Sequence, residues 1–185
     1  MASPVPGLDE HLERLIRDVP DFPKPGVVFK DISPLLADHD GLSAVVAGLA
    51  AAGVADDGTV VDKVVGIEAR GFILAAPVAL ELGAGFVPVR KAGKLPGLTH
   101  QVAYELEYGE AVLELHQDAI HAGERVLVID DVLATGGTVA AARSLVEKCG
   151  GVVAGVAVLM ELAFLHGRAA LPGLSVTALR SITAT

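Results

Sequence analysis

Short runs of Val, Ile and Leu alternate along this chain with segments of helical character, and this alternation limits the possible folds more than any other feature. A run that is apolar at every position predicts a strand buried on both faces, as in a parallel sheet covered by helices. We therefore predict an α/β fold: a single twisted, mostly parallel sheet flanked by helices on both faces. The strands are predicted at residues 60–67, 86–89, 126–129, 152–160 and 174–179, and the helices at residues 8–18, 42–54, 71–82 and 137–148.

Residues 90–120 interrupt this alternation. They mix Lys, Glu, Gly, Pro and Tyr with apolar residues, and we interpret them as a solvent-exposed flap or hairpin. Neither a repeat nor a linker divides the chain, and 185 residues is a typical length for one domain. We predict a single domain over residues 1–185, with the flap at about residues 90–120.

Charge and cysteine content argue against several classes of function. The 14 Lys and Arg residues against 23 Asp and Glu residues give a formal net charge of −9, which does not suit binding to a nucleic-acid backbone. The apolar stretch at residues 71–89 contains two prolines and much alanine, so it is a poor membrane span. The single cysteine, Cys149, suits a reducing compartment. We predict a cytoplasmic protein without a nucleic-acid or membrane partner.

Charged residues and glycines follow the predicted strands. In open parallel sheets, ligands bind beyond the carboxyl ends of the strands, so these segments should meet at one edge. They are residues 68–71, 90–94, 130–138 and 161–162. Three of the four carry residue types that bind phosphates and sugars, which predicts a ligand site at that edge.

The segment at residues 126–138, VLVIDDVLATGGT, carries the most chemistry. Two carboxylates, Asp130 and Asp131, follow an apolar strand, and a Thr/Gly loop then opens a helix. A helix N-terminus offers unpaired N–H groups to an anion, and glycines allow the backbone to approach it. We predict a monophosphate site in the loop and sugar hydroxyls at the carboxylates. The loop residues are Ala134, Thr135, Gly136, Gly137 and Thr138. The plain alternative is a strand-to-helix turn capped by threonine.

Three basic residues, Arg90, Lys91 and Lys94, lie within five positions of this acidic chain. Such a cluster can attract a polyanion, although a run of charge is also typical of a solvated surface. Its position after a predicted strand favours a binding role. The six histidines show no metal-ligand spacing, so no resident metal site is predicted.

The segment at residues 126–138 resembles the phosphoribosyl pyrophosphate (PRPP) motif of type I phosphoribosyltransferases. Other blocks, in the same order along the chain, resemble the adenine-specific members of that family. These blocks are FPKPGVVFKDI at 22–32, EARGF at 68–72, VPVRKAGKLP at 87–96 and LEYG at 106–109. The resemblance covers residues 20–165 approximately and implies the family's fold, with a small N-terminal hood at about residues 1–35.

The resemblance implies a reaction and its partners. Adenine and PRPP would give AMP and pyrophosphate in purine salvage, with Mg²⁺ carried on PRPP, in a homodimer. Catalysis would hold the two reactants in line and neutralise the leaving group. Within the superfamily, hypoxanthine, xanthine and orotate remain alternative bases. A non-catalytic PRPP-binding regulator is an alternative of another class.

The resemblance also implies roles for particular residues. The segment at 130–138 would hold the ribose and its 5′-phosphate. Pyrophosphate would be bound by a turn that in the family often contains a non-proline cis peptide, together with the basic cluster: Glu68, Ala69, Arg70, Gly71, Arg90, Lys91 and Lys94. Proton transfer would fall to Glu107 with Tyr108 beside it; by pattern alone, Glu107 is an exposed hairpin residue.

Adenine recognition is implied at four positions, Val28, Phe29, Lys30 and Leu162. Phe29 and Leu162 would sandwich the base, and the backbone near Val28 and Lys30 would read its edge. By pattern alone, Phe29 is a core residue. Many family members have Arg where this chain has Lys30, and lysine cannot form the guanidinium fork, so only a backbone role is expected there.

Overall fold

The computed structural model describes residues 5–105 and 110–183. Within these residues the chain forms five α-helices and nine β-strands. The helices are α1 (Leu8–Leu15), α2 (Ser33–Ala37), α3 (His39–Ala50), α4 (Arg70–Leu82) and α5 (Gly137–Lys148). The strands are β1 (Arg17–Pro20), β2 (Val28–Asp31), β3 (Lys63–Ile67), β4 (Gly85–Lys91), β5 (Thr99–Glu105), β6 (Glu110–His116), β7 (Arg125–Leu133), β8 (Val152–Leu162) and β9 (Val176–Ile182). Three short 3-10 helices cover Ala51–Gly53, Ala163–Leu165 and Gly167–Ala170.

The main sheet has seven strands among the described residues, in the order β5-β6-β4-β3-β7-β8-β9. The five strands from β4 to β9 in that order run parallel to their neighbours. Strand β6 is antiparallel to both β4 and β5. The predicted α/β class with a mostly parallel sheet is confirmed.

Strand β7 shows why the central runs are apolar at every position. Leu127 and Ile129 lie in the core on the side of α3 and α4, whereas Val126 and Val128 lie in the core on the side of α5. All four are fully buried. Because successive side chains of a strand point to opposite faces, helices on both faces require an apolar residue at every position.

The predicted helix at residues 8–18 is wrong at its end. Helix α1 ends at Leu15, and the next residues form β1, which pairs antiparallel with β2 in a separate two-stranded sheet. Two cross-strand ion pairs stabilise this hairpin: Arg17 with Asp31 and Lys30 with Asp18, each at 2.6 Å. Proline disfavours a helical residue before it, which adds to the preference for an extended chain up to Pro20.

The strand predicted at residues 126–129 is longer than expected. Strand β7 continues to Leu133, and its ladder with β8 includes the pairs Asp130–Val158 and Val132–Met160. Aspartate is depleted in strands, which is why the pattern placed the end before the acids. Asp130 and Asp131 therefore lie within the strand, on the rigid sheet, and not in the loop after it.

The segment predicted as a flap forms the hairpin of β5 and β6. The prediction of a solvent-exposed segment is wrong for its inner strand β6. In that strand Leu113, Glu114 and Leu115 are buried. Strand β6 also pairs with β4 at Arg90–Glu114, and α5 packs against the hairpin. The hairpin is thus an antiparallel extension of the main sheet.

Candidate active site

Two helices begin at the carboxyl ends of neighbouring parallel strands, which gives the site its frame. Helix α4 begins at Arg70, three residues after β3 ends, and α5 begins at Gly137, four residues after β7 ends. Strands β3 and β7 are adjacent in the sheet. No side chain of the described residues caps either N-terminus. Unpaired N–H groups and the positive ends of two helix dipoles are therefore directed toward one edge, where anions are favoured.

The loop between β7 and α5 contains the predicted monophosphate residues Ala134, Thr135, Gly136, Gly137 and Thr138. Gly136 has a φ of 87°, in the left-handed region that only glycine adopts readily. Its carbonyl oxygen accepts a hydrogen bond from the Ala140 N–H at 2.9 Å. A side chain here would overlap the Gly167 carbonyl oxygen and lie 2.9 Å from the Ala170 Cβ atom. Glycine is therefore required both for the turn and for close packing.

The two carboxylates of β7 have different surroundings. Asp131 is 6% exposed, and its Oδ2 atom lies 2.8 Å from the Arg70 Nε atom. This is an ion pair without hydrogen-bond alignment, and Oδ2 accepts no hydrogen bond from the described residues. Asp130 Oδ1 accepts the Asp131 N–H at 2.9 Å. The pKa of Asp130 is raised well above its usual value. The larger cause is burial among protein atoms, and the second is repulsion from the Asp131 carboxylate.

The turn between β3 and α4 consists of Glu68, Ala69, Arg70 and Gly71. Its Glu68–Ala69 peptide bond is cis, as the resemblance implied. A side chain at Gly71 would lie 3.0 Å from both the Asp130 Oδ1 atom and the Ile129 carbonyl oxygen. Glycine at this position therefore lets the N-terminus of α4 approach the carboxylates of β7 closely.

The Glu68 carboxylate is not free to bind a ligand, because it contacts all three residues of the basic cluster. It forms ion pairs with Lys94 and, at 3.4 Å, with Arg90. Its Oε2 atom also accepts the Lys91 N–H at 3.0 Å. Burial acts to raise the pKa of Glu68, but the Lys94 ammonium, the Lys91 N–H and Arg90 outweigh it and lower the pKa. The structure thus brings Glu68, Arg90, Lys91 and Lys94 together, as the strand-end argument predicted.

Sequence reasoning missed Glu114, whose side chain binds the backbone of the loop that carries Lys94. This carboxylate is 2% exposed, and its Oε1 atom accepts the N–H groups of Lys94 and Leu95, both at 2.8 Å. The Gln101 side chain donates to its Oε2 atom at 3.2 Å. Burial acts to raise the pKa of Glu114, but the backbone N–H groups of Leu95, Lys94 and Gly93 outweigh it and lower the pKa. The sequence does contain one indication of this role, because Glu114 is an acidic residue between two leucines, Leu113 and Leu115.

Arg70 connects the carboxylates to an aromatic ring. Its guanidinium lies 5.3 Å from the centroid of the Phe29 ring, within cation–π distance. Phe22 packs edge-on against Phe29, with 5.1 Å between the ring centroids. Phe29 is therefore at the site edge, half-buried, and not in the main core. Strand β2 carries Val28, which is exposed, beside Phe29.

Lys30 points away from this group. Its ammonium donates to Asp18 at 2.6 Å across the β1–β2 hairpin. The side chain is therefore engaged within the hairpin, which leaves the Lys30 backbone for the role in ligand binding that the resemblance implies. Leu162 ends β8, the strand next to β7, and thus lies at the same edge of the sheet. The predicted catalytic residues Glu107 and Tyr108 lie outside the described residues.

Comparisons with known proteins show the family of this chain. The family described as "Phosphoribosyl transferase domain" matches residues 36–170. The adenine phosphoribosyltransferase of a Nocardioides species is 65% identical over 178 residues, which are 96% of each chain. This chain belongs to the adenine phosphoribosyltransferase family.

Two solved structures of the family share the fold. The adenine phosphoribosyltransferase of Thermoanaerobacter pseudethanolicus superposes with a TM-score of 0.88 and 47% identity, covering 94% of this chain and 99% of the other. The Saccharomyces cerevisiae enzyme superposes with a TM-score of 0.87 and 38% identity, covering 94% and 98%. That yeast structure is a complex with adenine and an imino-altritol bisphosphate. A type I phosphoribosyltransferase fold is therefore established for this chain.

None of the helices within residues 5–105 and 110–183 is long and apolar enough to cross a membrane. Within the same ranges, no group of three or more His, Cys, Asp and Glu side chains is placed to hold a metal ion.

Proposed function

We propose that this family member is an adenine phosphoribosyltransferase of purine salvage, which converts adenine and PRPP into AMP and pyrophosphate. The observation that carries the proposal is the pair of uncapped helix N-termini, α4 and α5, on either side of the Asp130–Asp131 pair. PRPP has one phosphate at C5 of its ribose and a pyrophosphate at C1. Two anion sites separated by two sugar-binding carboxylates match that arrangement of charges.

The 5′-phosphate binds in the loop from Ala134 to Thr138. Its charge is neutralised by the N-terminus of α5, and the hydroxyls of Thr135 and Thr138 donate further hydrogen bonds. Asp130 and Asp131 accept hydrogen bonds from the ribose hydroxyls. A hydrogen bond to a charged group contributes about 1.5–3 kcal/mol, so these two residues fix the sugar on a rigid strand.

Pyrophosphate leaves from the turn at residues 68–71 and the neighbouring basic cluster. Arg70, Arg90, Lys91 and Lys94 supply the positive charge that stabilises the leaving group as the C1–oxygen bond breaks. Ala69 and Gly71 offer backbone without bulk. Glu68 acts through the basic residues that it holds, since a carboxylate would repel a pyrophosphate.

Adenine stacks between Phe29 and Leu162, and backbone groups of Val28 and Lys30 read its edge. The location of Phe29 beside Arg70 supports this assignment, because it places an aromatic face next to the groups assigned to pyrophosphate and ribose. Adenine then forms a bond from N9 to C1 as pyrophosphate departs, and the N9 proton must be removed.

Proton transfer at the base belongs to Glu107, with Tyr108 beside it. We expect Glu107→Gln to lower kcat by about 100-fold with an unchanged melting temperature, because a positioned acid or base contributes roughly that factor or more. Steady-state kinetics with adenine and PRPP measure it. Glu105→Gln, the same change two residues earlier, is the matched control and should retain full kcat. Equal kcat values for the two variants would remove Glu107 from the mechanism.

Further properties of the enzyme complete the proposal. Mg²⁺ enters with the substrate as Mg–PRPP, and the enzyme works in the cytoplasm as a homodimer without nucleic-acid or membrane partners. Residues 1–185 form one domain, with the hood at about residues 1–35 and the segment called the flap at about residues 90–120. Light scattering measures the oligomeric state.

A panel of bases tests the function. Adenine, hypoxanthine, xanthine and orotate are each incubated with PRPP, with and without Mg²⁺, and pyrophosphate release is measured. We expect Mg²⁺-dependent turnover with adenine and a kcat/KM lower by about 100-fold or more with the others, because unpaired polar groups at the base edge are costly. Turnover with another base but not adenine would contradict the assignment. PRPP binding without any turnover would instead support a regulator.

A further inference from the structure

The loop assigned to the 5′-phosphate packs against a second glycine, Gly167, which lies 29 positions or more away in the sequence. A side chain added at Gly167 would overlap the Ala134 carbonyl oxygen and lie 3.0 Å from the Leu133 Cγ atom. In the opposite direction, a side chain at Gly136 would overlap the Gly167 carbonyl oxygen. The backbones of the two segments are therefore in direct contact on both sides.

The segment that carries Gly167 is held by a buried ion pair. Glu161, at the end of β8, is 6% exposed. Arg168 Nε donates to Glu161 Oε1 at 2.8 Å, and the Arg168 terminal nitrogen Nη2 donates to Glu161 Oε2 at 2.8 Å. This two-pronged geometry is the strong form of an arginine–carboxylate pair. The hydrogen bonds that Arg168 donates to Glu161 also raise the pKa of Arg168 above its usual value.

A third hydrogen bond ties the same guanidinium to the sheet. Arg168 Nη1 donates to the Val176 carbonyl oxygen, on β9, at 2.7 Å. Between Glu161 and Arg168, His166 has a φ of 54° and joins two short 3-10 helices. Arg168 thus fixes both ends of a short connection between β8 and β9, and this connection places Gly167 against the phosphate loop.

We propose that Glu161, Arg168 and Gly167 are positioning residues for PRPP: the ion pair fixes the connection, and Gly167 then sets the shape of the loop from Ala134 to Gly136. The inference rests on the proposed function, because it takes that loop to be the 5′-phosphate site. The three residues act through the loop backbone. Gly167 acts on the binding of the phosphorylated sugar. Leu162, the neighbour of Glu161 that is assigned to adenine, is held in the ladder of β8 with β9, so adenine recognition does not depend on Gly167.

The substitution Gly167→Ala tests the contact with a single methyl group. We expect the KM for PRPP and the Kd for AMP to rise about tenfold or more, with kcat within threefold and the KM for adenine within twofold of wild type. Gly155→Ala is the matched control, since its new methyl group would lie 3.5 Å from the nearest atom, the Ala52 carbonyl oxygen. A KM for PRPP within twofold of wild type in Gly167→Ala would overturn the proposal.

The ion pair is tested separately, which also covers a Gly167 variant that fails to fold. Arg168→Lys keeps the charge but cannot form the fork, so we expect a three- to tenfold rise in the KM for PRPP, and a larger rise for Arg168→Gln. Lys63→Gln is the control, because it breaks the ion pair of Lys63 with Glu124 (3.6 Å) at the opposite end of the strands. Unchanged PRPP kinetics in both Arg168 variants would refute the role of the ion pair.

Failure of the proposed function can be distinguished from failure of this inference. Calorimetric titration with AMP measures the affinity of the loop for a nucleoside monophosphate without any reaction. If the wild-type protein binds AMP but turns no base over, the proposed reaction is wrong, and the AMP affinities of the variants still test the positioning role. If the variants bind AMP as wild type does, the positioning role is wrong whatever the base.

Discussion

The substitution Asp130→Asn is expected to make the unliganded protein more stable at neutral pH and, at the same time, a poorer enzyme. Burial and the neighbouring Asp131 carboxylate both disfavour the charged form of Asp130, and they raise its pKa. A neutral amide avoids both costs. The same change removes a charged acceptor for a ribose hydroxyl, which is worth about 1.5–3 kcal/mol, so kcat/KM for PRPP should fall about 10- to 150-fold.

The stabilisation depends on pH in a defined direction. Because the pKa of Asp130 is higher in the folded state than in the unfolded state, the folded protein binds more protons between those two values. Its free energy of unfolding therefore falls as the pH rises through that window, and the full cost is present above the folded pKa. The advantage of Asp130→Asn should be largest at pH 8 and should shrink as the pH falls toward the unfolded pKa.

Urea denaturation at several pH values measures this effect, and Asp57→Asn is the control. Asp57 is exposed, and the N–H and hydroxyl of Thr59 lower its pKa. Its stabilising contribution is present above the unfolded pKa and is lost as the pH falls through the folded value. Asp57→Asn should therefore not stabilise the protein at pH 8, and its PRPP kinetics should match wild type. A destabilised Asp130→Asn at pH 8 would contradict the electrostatic argument.

The substitution Gly136→Ala is expected to lower kcat/KM for PRPP by about 100-fold or more, since effects of this size follow from small displacements of a binding group. An L-residue in the left-handed region costs about 1–2 kcal/mol. In addition, the new methyl group would overlap the Gly167 carbonyl oxygen. The loop must move to relieve that overlap, so the phosphate-binding N–H groups are displaced.

Gly173→Ala separates strain from displacement. Gly173 has a φ of 77°, and a methyl group there would meet no atom of the described residues within 4 Å. It should share the loss of stability from strain, about 1–2 kcal/mol, and keep wild-type PRPP kinetics. Melting curves and steady-state kinetics of both variants provide the comparison. Similar kinetics for the two would mean that the overlap with Gly167 does not shape the site.

Local sequence was sufficient where a structure depends on neighbouring residues. The apolar runs of β3, β7 and β8 predicted buried parallel strands, because a strand covered on both faces must be apolar at successive positions. Gly136 was assigned to a tight loop from its residue type alone, and its φ of 87° agrees. Such features need no knowledge of distant parts of the chain.

Element ends were less predictable because they depend on partners. Helix α1 ends at Leu15 because the residues after it pair with β2. Arg17, for example, forms an ion pair with Asp31, which lies fourteen positions later in the sequence. Strand β7 extends through Asp130 and Asp131 because β8 continues its ladder beside them. The local pattern contains a preference for an end but no information about which neighbour will continue the pairing.

Residue types and their order were enough to determine the class of fold and to predict that Glu68, Arg90, Lys91 and Lys94 meet at one edge of the sheet, although not that Glu114 joins them. Only the folded chain decided which charges meet: Glu68 with Lys94, Glu114 with the Lys94 and Leu95 N–H groups, and Arg70 with Asp131. These partners are 19 to 61 positions apart in sequence. Hydrogen bonds and ion pairs act over a few ångströms, so their choice of partner follows from packing of the strands, which no local pattern contains.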